Sequence, residues 1–347
     1  MRPSFFHHLH PPTIPAPQAR LRYTLGAGGL AVYLVLAILI SGVLLMFYYV
    51  PTPEGAGPSI QVLTFLVPYG ALVRNLHYWA AQLLIAVVTL HMLRVILTGA
   101  YAKPRRFNYL LGLSLLLLSL MLDFTGYVLR WDEGVRWALV AGTNLVKSIP
   151  VLGPGLYTIL MGGSQPGSAT LTRFYAWHIF GLTLVLIIIG VWHLFRVRRD
   201  GGIAVPPPDK RSDPARISRF ELVRREGLAA ILATVVLLPL AAFIPAPLAA
   251  PMQSLTTPNG LVADSRAPWF FLWVQQLLKF GNAFVMGVLI PLGVVALLIA
   301  VPYFLPAARP EELGRWLPRG GRLAQVVTVL AAILLLALSI WSALSSI

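Results

Sequence analysis

Seven stretches of predominantly apolar residues, about 26–50, 76–98, 109–130, 174–196, 224–244, 282–304 and 323–345, recur along the 347-residue chain. Each matches the roughly 20 residues that a helix needs to cross the hydrocarbon layer of a bilayer. No water is available there to backbone N–H and C=O groups, so such runs fold as helices that satisfy those groups internally. The expected fold is therefore all-α and integral to a membrane, with seven transmembrane helices. With 57% hydrophobic and 11% charged residues the chain is too apolar for the surface of a soluble globule. It has no cysteine, so within this chain any metal centre must be held by nitrogen or oxygen. The first 22 residues are polar and proline-rich, and no cleavable signal is expected ahead of the first run.

The net charge of +15 follows topology rather than nucleic-acid binding, because the basic residues cluster in short connections between apolar runs. Nineteen Lys and Arg lie before the first run and in the second–third, fourth–fifth and sixth–seventh connections, against seven in the other three connections. Positive residues stay on the cytoplasmic side, which predicts a cytoplasmic N-terminus and an outer C-terminus in a bacterial-type inner membrane. The connection bearing Pro206, Pro207, Pro208 and Pro214 reads as a linker. It divides the chain into a tail (1–22), a four-helix core (23–203), a basic linker (204–221) and a three-helix module (222–347). Two long outer connections carry amphipathic or aromatic segments, Val135 to Ile149 and Trp269 to Phe280. Loops of that length are often functional.

Four of the seven histidines lie inside apolar runs as two pairs, His77 with His91 and His178 with His193. A lone histidine in a membrane helix reads as an interhelical hydrogen bond. Paired spacings of 14 and 15 residues instead give about 21–22 Å of rise and nearly four turns, which leaves each pair on one helix face. The second and fourth helices run in the same direction, so His77 shares the outer level with His178, and His91 the inner level with His193. Two bis-histidine sites stacked across the membrane suit iron in haem, with both axial positions filled for electron transfer. Gly28 and Gly42 on the first helix, and Gly112 and Gly126 on the third, are also 14 apart. Glycine lets a flat macrocycle approach the backbone closely. Arg74 and Arg173 at the outer level, and Arg94, Lys103 and Arg105 at the inner level, are the cations available to haem propionates; snorkelling and topology signalling account equally simply for Lys103 and Arg173, and Arg74 and Arg94 are the stronger candidates. His7, His8 and His10 precede proline-rich sequence and read as a solvated tail.

In order along the chain, FYYVPTPEGAGPSIQVL, GALVRNLHYW, TLHMLRV, AKPRR, FTGYVLRWDE, SIPVLG, ATLTRFYAWH and HLFRVRRDGG resemble the cytochrome b family of quinol:cytochrome c and quinol:plastocyanin oxidoreductases, especially its chloroplast-type branch. The resemblance covers about residues 20 to 203, and the last three helices resemble that branch's separate small subunit, here fused. It implies two b haems, the outer held by His77 and His178 and the inner by His91 and His193. It also implies an outer quinol-oxidation pocket, an inner quinone-reduction pocket near Arg22 and Arg198, a Rieske iron–sulfur protein and a c-type cytochrome as partners, and a homodimer.

The family's outer pocket carries Pro-Glu-Trp-Tyr, its carboxylate accepting a quinol proton. Aligned on tryptophan, this chain has Ala267, Pro268, Trp269 and Phe270, with Gln275 and Gln276 where a related bacterial pattern carries Gln-Glu. Glutamine takes no proton at ordinary pH. The remaining outer acids are Asp132, Glu133 and Asp264, and Glu133 is the candidate substitute base; solvation at a helix boundary is the plainer account of Asp132 and Glu133. Arg130 stands where the family usually has proline and can pair with a propionate or with Asp132. Gly26 aligns with the cysteine that fixes a third haem in the chloroplast-type branch, which leaves only a noncovalent third haem open. The functions consistent with these residues are a quinol-oxidising subunit of a bc-type complex, a non-bifurcating dihaem anchor joining the quinone pool to another redox module, and a dihaem transmembrane reductase. The lack of a Gly-rich nucleotide-binding segment disfavours the last.

Overall fold

The computed structural model describes residues 12–20, 24, 26–206, 215–248 and 267–345. Among them, seven helical segments are long and apolar enough to cross a membrane: Ala27–Met46, Gly70–Leu97, Arg106–Val128, Ser168–Arg199, Arg219–Phe243, Val285–Phe304 and Arg319–Leu344. The chain is thus all-α in its membrane part. In chain order the helices are α1 (Ala27–Met46), α2 (Ala56–Phe65), α3 (Gly70–Leu97), α4 (Arg106–Val128), α5 (Glu133–Lys147), α6 (Gly153–Met161), α7 (Ser168–Ala176), α8 (Leu182–Arg199), α9 (Arg219–Phe243), α10 (Leu272–Leu277), α11 (Ile290–Phe304) and α12 (Arg322–Leu344). The fifth span begins in the stretch read as linker, because Ser218 caps it: its hydroxyl accepts from the Glu221 amide at 3.3 Å. Just before it, Arg216–Ser218 pairs antiparallel with Thr13–Pro15, a two-stranded element that the hydropathy pattern does not announce.

The fourth span is not one regular helix. Between α7 and α8 the chain makes a π-helical turn, Trp177–Gly181, which contains His178. Such a turn inserts one residue without adding a full step of rotation. The 15-residue spacing of His178 and His193 then behaves like the 14-residue spacing on the regular helix α3. The hydroxyl of Thr183 donates to the His178 carbonyl, which the irregular turn leaves short of a partner.

The three C-terminal spans dock through buried polar groups as well as apolar packing. Asn75 on α3 donates to the Ala241 carbonyl at 2.9 Å and accepts from the Ala246 amide at 3.0 Å, closing off the end of α9. Pro302 in α11 has no N–H for the Leu298 carbonyl four residues earlier, and the Tyr109 hydroxyl on α4 donates to that carbonyl at 2.9 Å. At the end of the bundle nearest His77 and His178, the outer end by the charge-based expectation, Val128, Trp131, Val135, Leu139, Tyr157, Met161, Leu171 and Phe174 form a buried cluster that joins the end of α4 to α5, α6 and α7.

Candidate functional site

Helix α3 and the π-helical turn that precedes α8 bring His77 and His178 together, their ring centroids 6.2 Å apart and their planes at 69°. Two imidazoles bound through Nε2 to opposite sides of one metal, at roughly 2 Å per bond, have centroids about 6.3 Å apart. The opposite ring nitrogens are occupied. Nδ1 of His77 lies 3.1 Å from the Ile38 carbonyl and 3.1 Å from the Ser41 hydroxyl. Nδ1 of His178 lies 3.0 Å from the Leu122 carbonyl and 3.1 Å from the Thr125 hydroxyl. A carbonyl only accepts, so each Nδ1 carries the proton and Nε2 keeps its lone pair for a metal.

The four glycines have a specific place in this arrangement. A Cβ on Gly42 would sit 3.1 Å from His77 Cε1, one on Gly126 2.7 Å from His178 Cε1, one on Gly112 3.3 Å from His193 Cε1, and one on Gly28 3.7 Å from His91 Cε1. Each glycine thus makes room for the edge of one histidine ring. The accepting carbonyl stands four residues before the glycine in three cases: Ile38, Leu122 and, for His193 at 3.2 Å, Asn108. That carbonyl has a second lone pair beyond its helical bond and can receive the imidazole N–H. At the outer level the residue just before the glycine adds a hydroxyl, Ser41 or Thr125. The inner glycines follow Ala27 and Leu111, which have none. His91 Nδ1 is buried with no hydrogen-bond partner among the described residues. The Ser-Gly and Thr-Gly dipeptides are the signal in the sequence that marks these orienting groups.

The cations are largely engaged by backbone. Arg74 donates to the carbonyls of Ala246 and Pro247 at the exit of α9. Arg173 donates to the Ile159 carbonyl at 2.7 Å and so caps the C-terminal end of α6. Arg94, 5% exposed, donates to the Ala204 carbonyl at 3.1 Å, and Arg105 to that of Gly202 at 3.0 Å, both holding the segment that follows α8. Burial lowers the Arg105 pKa below its ordinary value, opposed by nearby Asp200. Lys103 is exposed. Arg130 pairs with Asp132 at 2.5 Å, and Asp132 also caps α5 by accepting from the Val135 amide at 2.8 Å. Asp132 is only 4% exposed, which corrects its reading as a solvated boundary residue. Glu133, half-buried in the first turn of α5, makes no hydrogen bond or ion pair among the described residues.

Around the outer pair, the segment at Pro268 folds into a short aromatic turn. Phe270 is buried between Trp269 and Phe271, with centroids at 5.7 and 4.7 Å, and Phe271 meets Phe124 of α4 at 6.0 Å. Gln276 is 2% exposed, and its Oε1 lacks a partner. The Trp269 indole donates to Gln82 Oε1 at 2.7 Å, and Gln82 Nε2 donates to Asp123 Oδ1 at 3.0 Å. Asp123 was not singled out in the sequence, although an acid inside an apolar run is a signal in itself. At the inner end, Arg198 has a buried Nη1 with no partner. Arg22, His7, His8, His10 and Asp264 lie outside the described residues.

Residues 82–251 match the family described as cytochrome b(N-terminal)/b6/petB. The cytochrome b6 of Heliomicrobium gestii is 41% identical over 187 residues, 54% of this chain and 88% of the relative. The menaquinol:cytochrome c reductase cytochrome b subunit of Geobacillus thermodenitrificans is 37% identical over 175 residues, 50% of this chain and 78% of the relative. A solved structure described as a hyperthermophilic respiratory Complex III superposes with a TM-score of 0.78 at 24% identity, covering 93% of this chain and 85% of that one. That likeness shows the fold.

Proposed function

Because this chain belongs to the cytochrome b family, whose prosthetic group is haem b, we propose that it is the dihaem cytochrome b subunit of a bc-type quinol:acceptor oxidoreductase, with a small-subunit-like module fused at its C-terminus. The observation that carries this reading is the His77–His178 pair, at 6.2 Å with both Nδ1 atoms turned to carbonyls, which leaves two Nε2 atoms opposed across one site. His91 and His193 form the second site one membrane level away, with Gly28, Gly42, Gly112 and Gly126 seating the rings. When bound, haem supplies a one-electron centre at each level, so that electrons cross between the two faces of the membrane.

The chain's own residues bind and orient. Helix α3, the π-helical turn and α8 carry the four imidazoles, and carbonyl partners at Nδ1 fix one tautomer at His77, His178 and His193. Arg94 and Arg105 stand at the inner level and Arg74 at the outer, while Lys103 lies at the surface as a further cation for a propionate. The outer quinol pocket is formed by Pro268, Trp269, Phe270 and Gln276 against α4, where aromatic side chains exclude water and amides orient a quinol hydroxyl. Glu133 is a candidate base at its rim. The inner quinone pocket uses Arg198 with Arg22. The partners are a Rieske iron–sulfur protein, a c-type cytochrome and a second copy of the chain, in a cytoplasmic membrane with the N-terminus inside. A third haem would be held noncovalently, since Gly26 offers no thiol.

A second reading, a non-bifurcating dihaem anchor, is favoured by Pro268 and Gln276 occupying positions where relatives of this family place an acid. A redox-titrated visible spectrum of the purified complex separates the two. Under the first reading, with an inner-site inhibitor and quinol present, an oxidant pulse transiently reduces low-spin b haem. Without that response, the anchor reading stands.

A further inference from the structure

Asp123 lies within the α4 span, about 26 Å of helix from Arg106 and about 8 Å from Val128 at 1.5 Å per residue, and a carboxylate inside a membrane span is costly unless it is paired or has a task. No cation pairs with it among the described residues. Its one hydrogen bond comes from a neutral amide, Gln82 Nε2 at 3.0 Å on Oδ1. Oδ2 has no partner, and it is not among the sealed, unsatisfied atoms of the interior. The residue is half-buried and therefore reachable.

Its surroundings join it to the outer pocket. Gln82 spans from Asp123 to the Trp269 indole at 2.7 Å. The next residue, Phe124, touches Phe271 at 6.0 Å. Tyr78, one turn from Gln82 on α3, is an electrostatic neighbour of Asp123 and also of Arg74 and Arg130. Glu133, by contrast, has no hydrogen bond to this network. A structural tie between α3, α4 and the aromatic turn needs only an acceptor at this position, which an asparagine would supply without the cost of a charge.

Given the quinol-oxidation reading above, on which this rests, we infer that Asp123 is the proton acceptor of the outer pocket. A quinol hydroxyl seated against Trp269 and Phe271 gives its proton to Oδ2. One quinol O–H bond breaks and one O–H bond forms on the carboxyl. The negative charge passes to the quinol oxygen, and the resulting anion is the species that the outer one-electron acceptor, of the iron–sulfur class, then oxidises. Gln82 holds Oδ1 so that Oδ2 faces the substrate.

The test compares Asp123→Asn with Asp123→Glu in the purified complex with a short-chain quinol and oxidised acceptor. Asparagine keeps the bond from Gln82 but takes no proton, so quinol oxidation falls roughly 100-fold or more while the reduced b-haem spectrum is unchanged. Glutamate restores most of the rate. Infrared difference spectra on quinol addition show a carboxylic acid C=O band that Asp123→Asn abolishes and Asp123→Glu shifts. An Asp123→Asn complex that oxidises quinol at the unmodified rate, or that keeps the band, overturns the assignment and leaves the quinol reading intact. A wild-type complex that shows no quinol-driven b-haem reduction overturns that reading, and this assignment with it.

Discussion

The outer and inner histidine pairs are built on one plan and finished differently. Outer His77 and His178 each have a carbonyl and a hydroxyl at Nδ1, whereas inner His193 has one carbonyl and His91 has no partner. The outer glycines are also tighter, a Cβ there meeting the ring edge at 3.1 and 2.7 Å against 3.7 and 3.3 Å at the inner level. The outer site is thus completed by groups internal to α1 and α4. By the same spacing, the carbonyl that would complete His91 belongs to Thr24, at the start of the first span. A ligand whose second nitrogen is hydrogen-bonded is oriented more firmly and is a stronger donor. The difference teaches that the two levels are distinguished by second partners rather than by ligand type.

The largest expected effect comes from removing a ligand. His178→Leu eliminates the outer haem and keeps the inner one, which a haem-to-protein ratio and the split of the reduced α-band measure; loss of both haems would mean that the two sites fold as one unit. Next come the glycines. Alanine at Gly126, Gly42, Gly112 and Gly28 should lower haem occupancy in that order, because the new Cβ meets a ring at 2.7, 3.1, 3.3 and 3.7 Å. An equal loss at Gly28 and Gly126 would break the contrast between levels. Smaller still, Ser41→Ala and Thr125→Ala each remove one partner of an imidazole N–H, an effect on the order of 0.5–1.5 kcal/mol. Weaker donation favours the reduced iron, so the outer midpoint potential rises in a redox titration while the inner one stays in place.

The contrast between Asp123 and Glu133 also shows where reading along the chain falls short. Glu133 drew attention because it lies beside a connection that resembles the family's pocket. Asp123 stands inside an apolar run and is tied to Trp269 through Gln82, residues separated by 41 and 187 positions along the chain. No local pattern connects three residues so far apart. Likewise, Asp132 looks like a surface acid in sequence, but folding buries it as the cap of α5 with Arg130 as its partner.

The sequence by itself determined the seven spans, the two histidine pairs and the matching glycine pairs, because hydropathy and helical periodicity are local properties that survive without knowledge of neighbours. Only the tertiary structure decided which carbonyl receives each imidazole, that a π-turn reconciles a spacing of 15 with one of 14, and that Tyr109 answers the carbonyl freed by Pro302. Those choices rest on hydrogen-bond partners that helix packing brings together, and in a bilayer the absence of water makes each such partner matter.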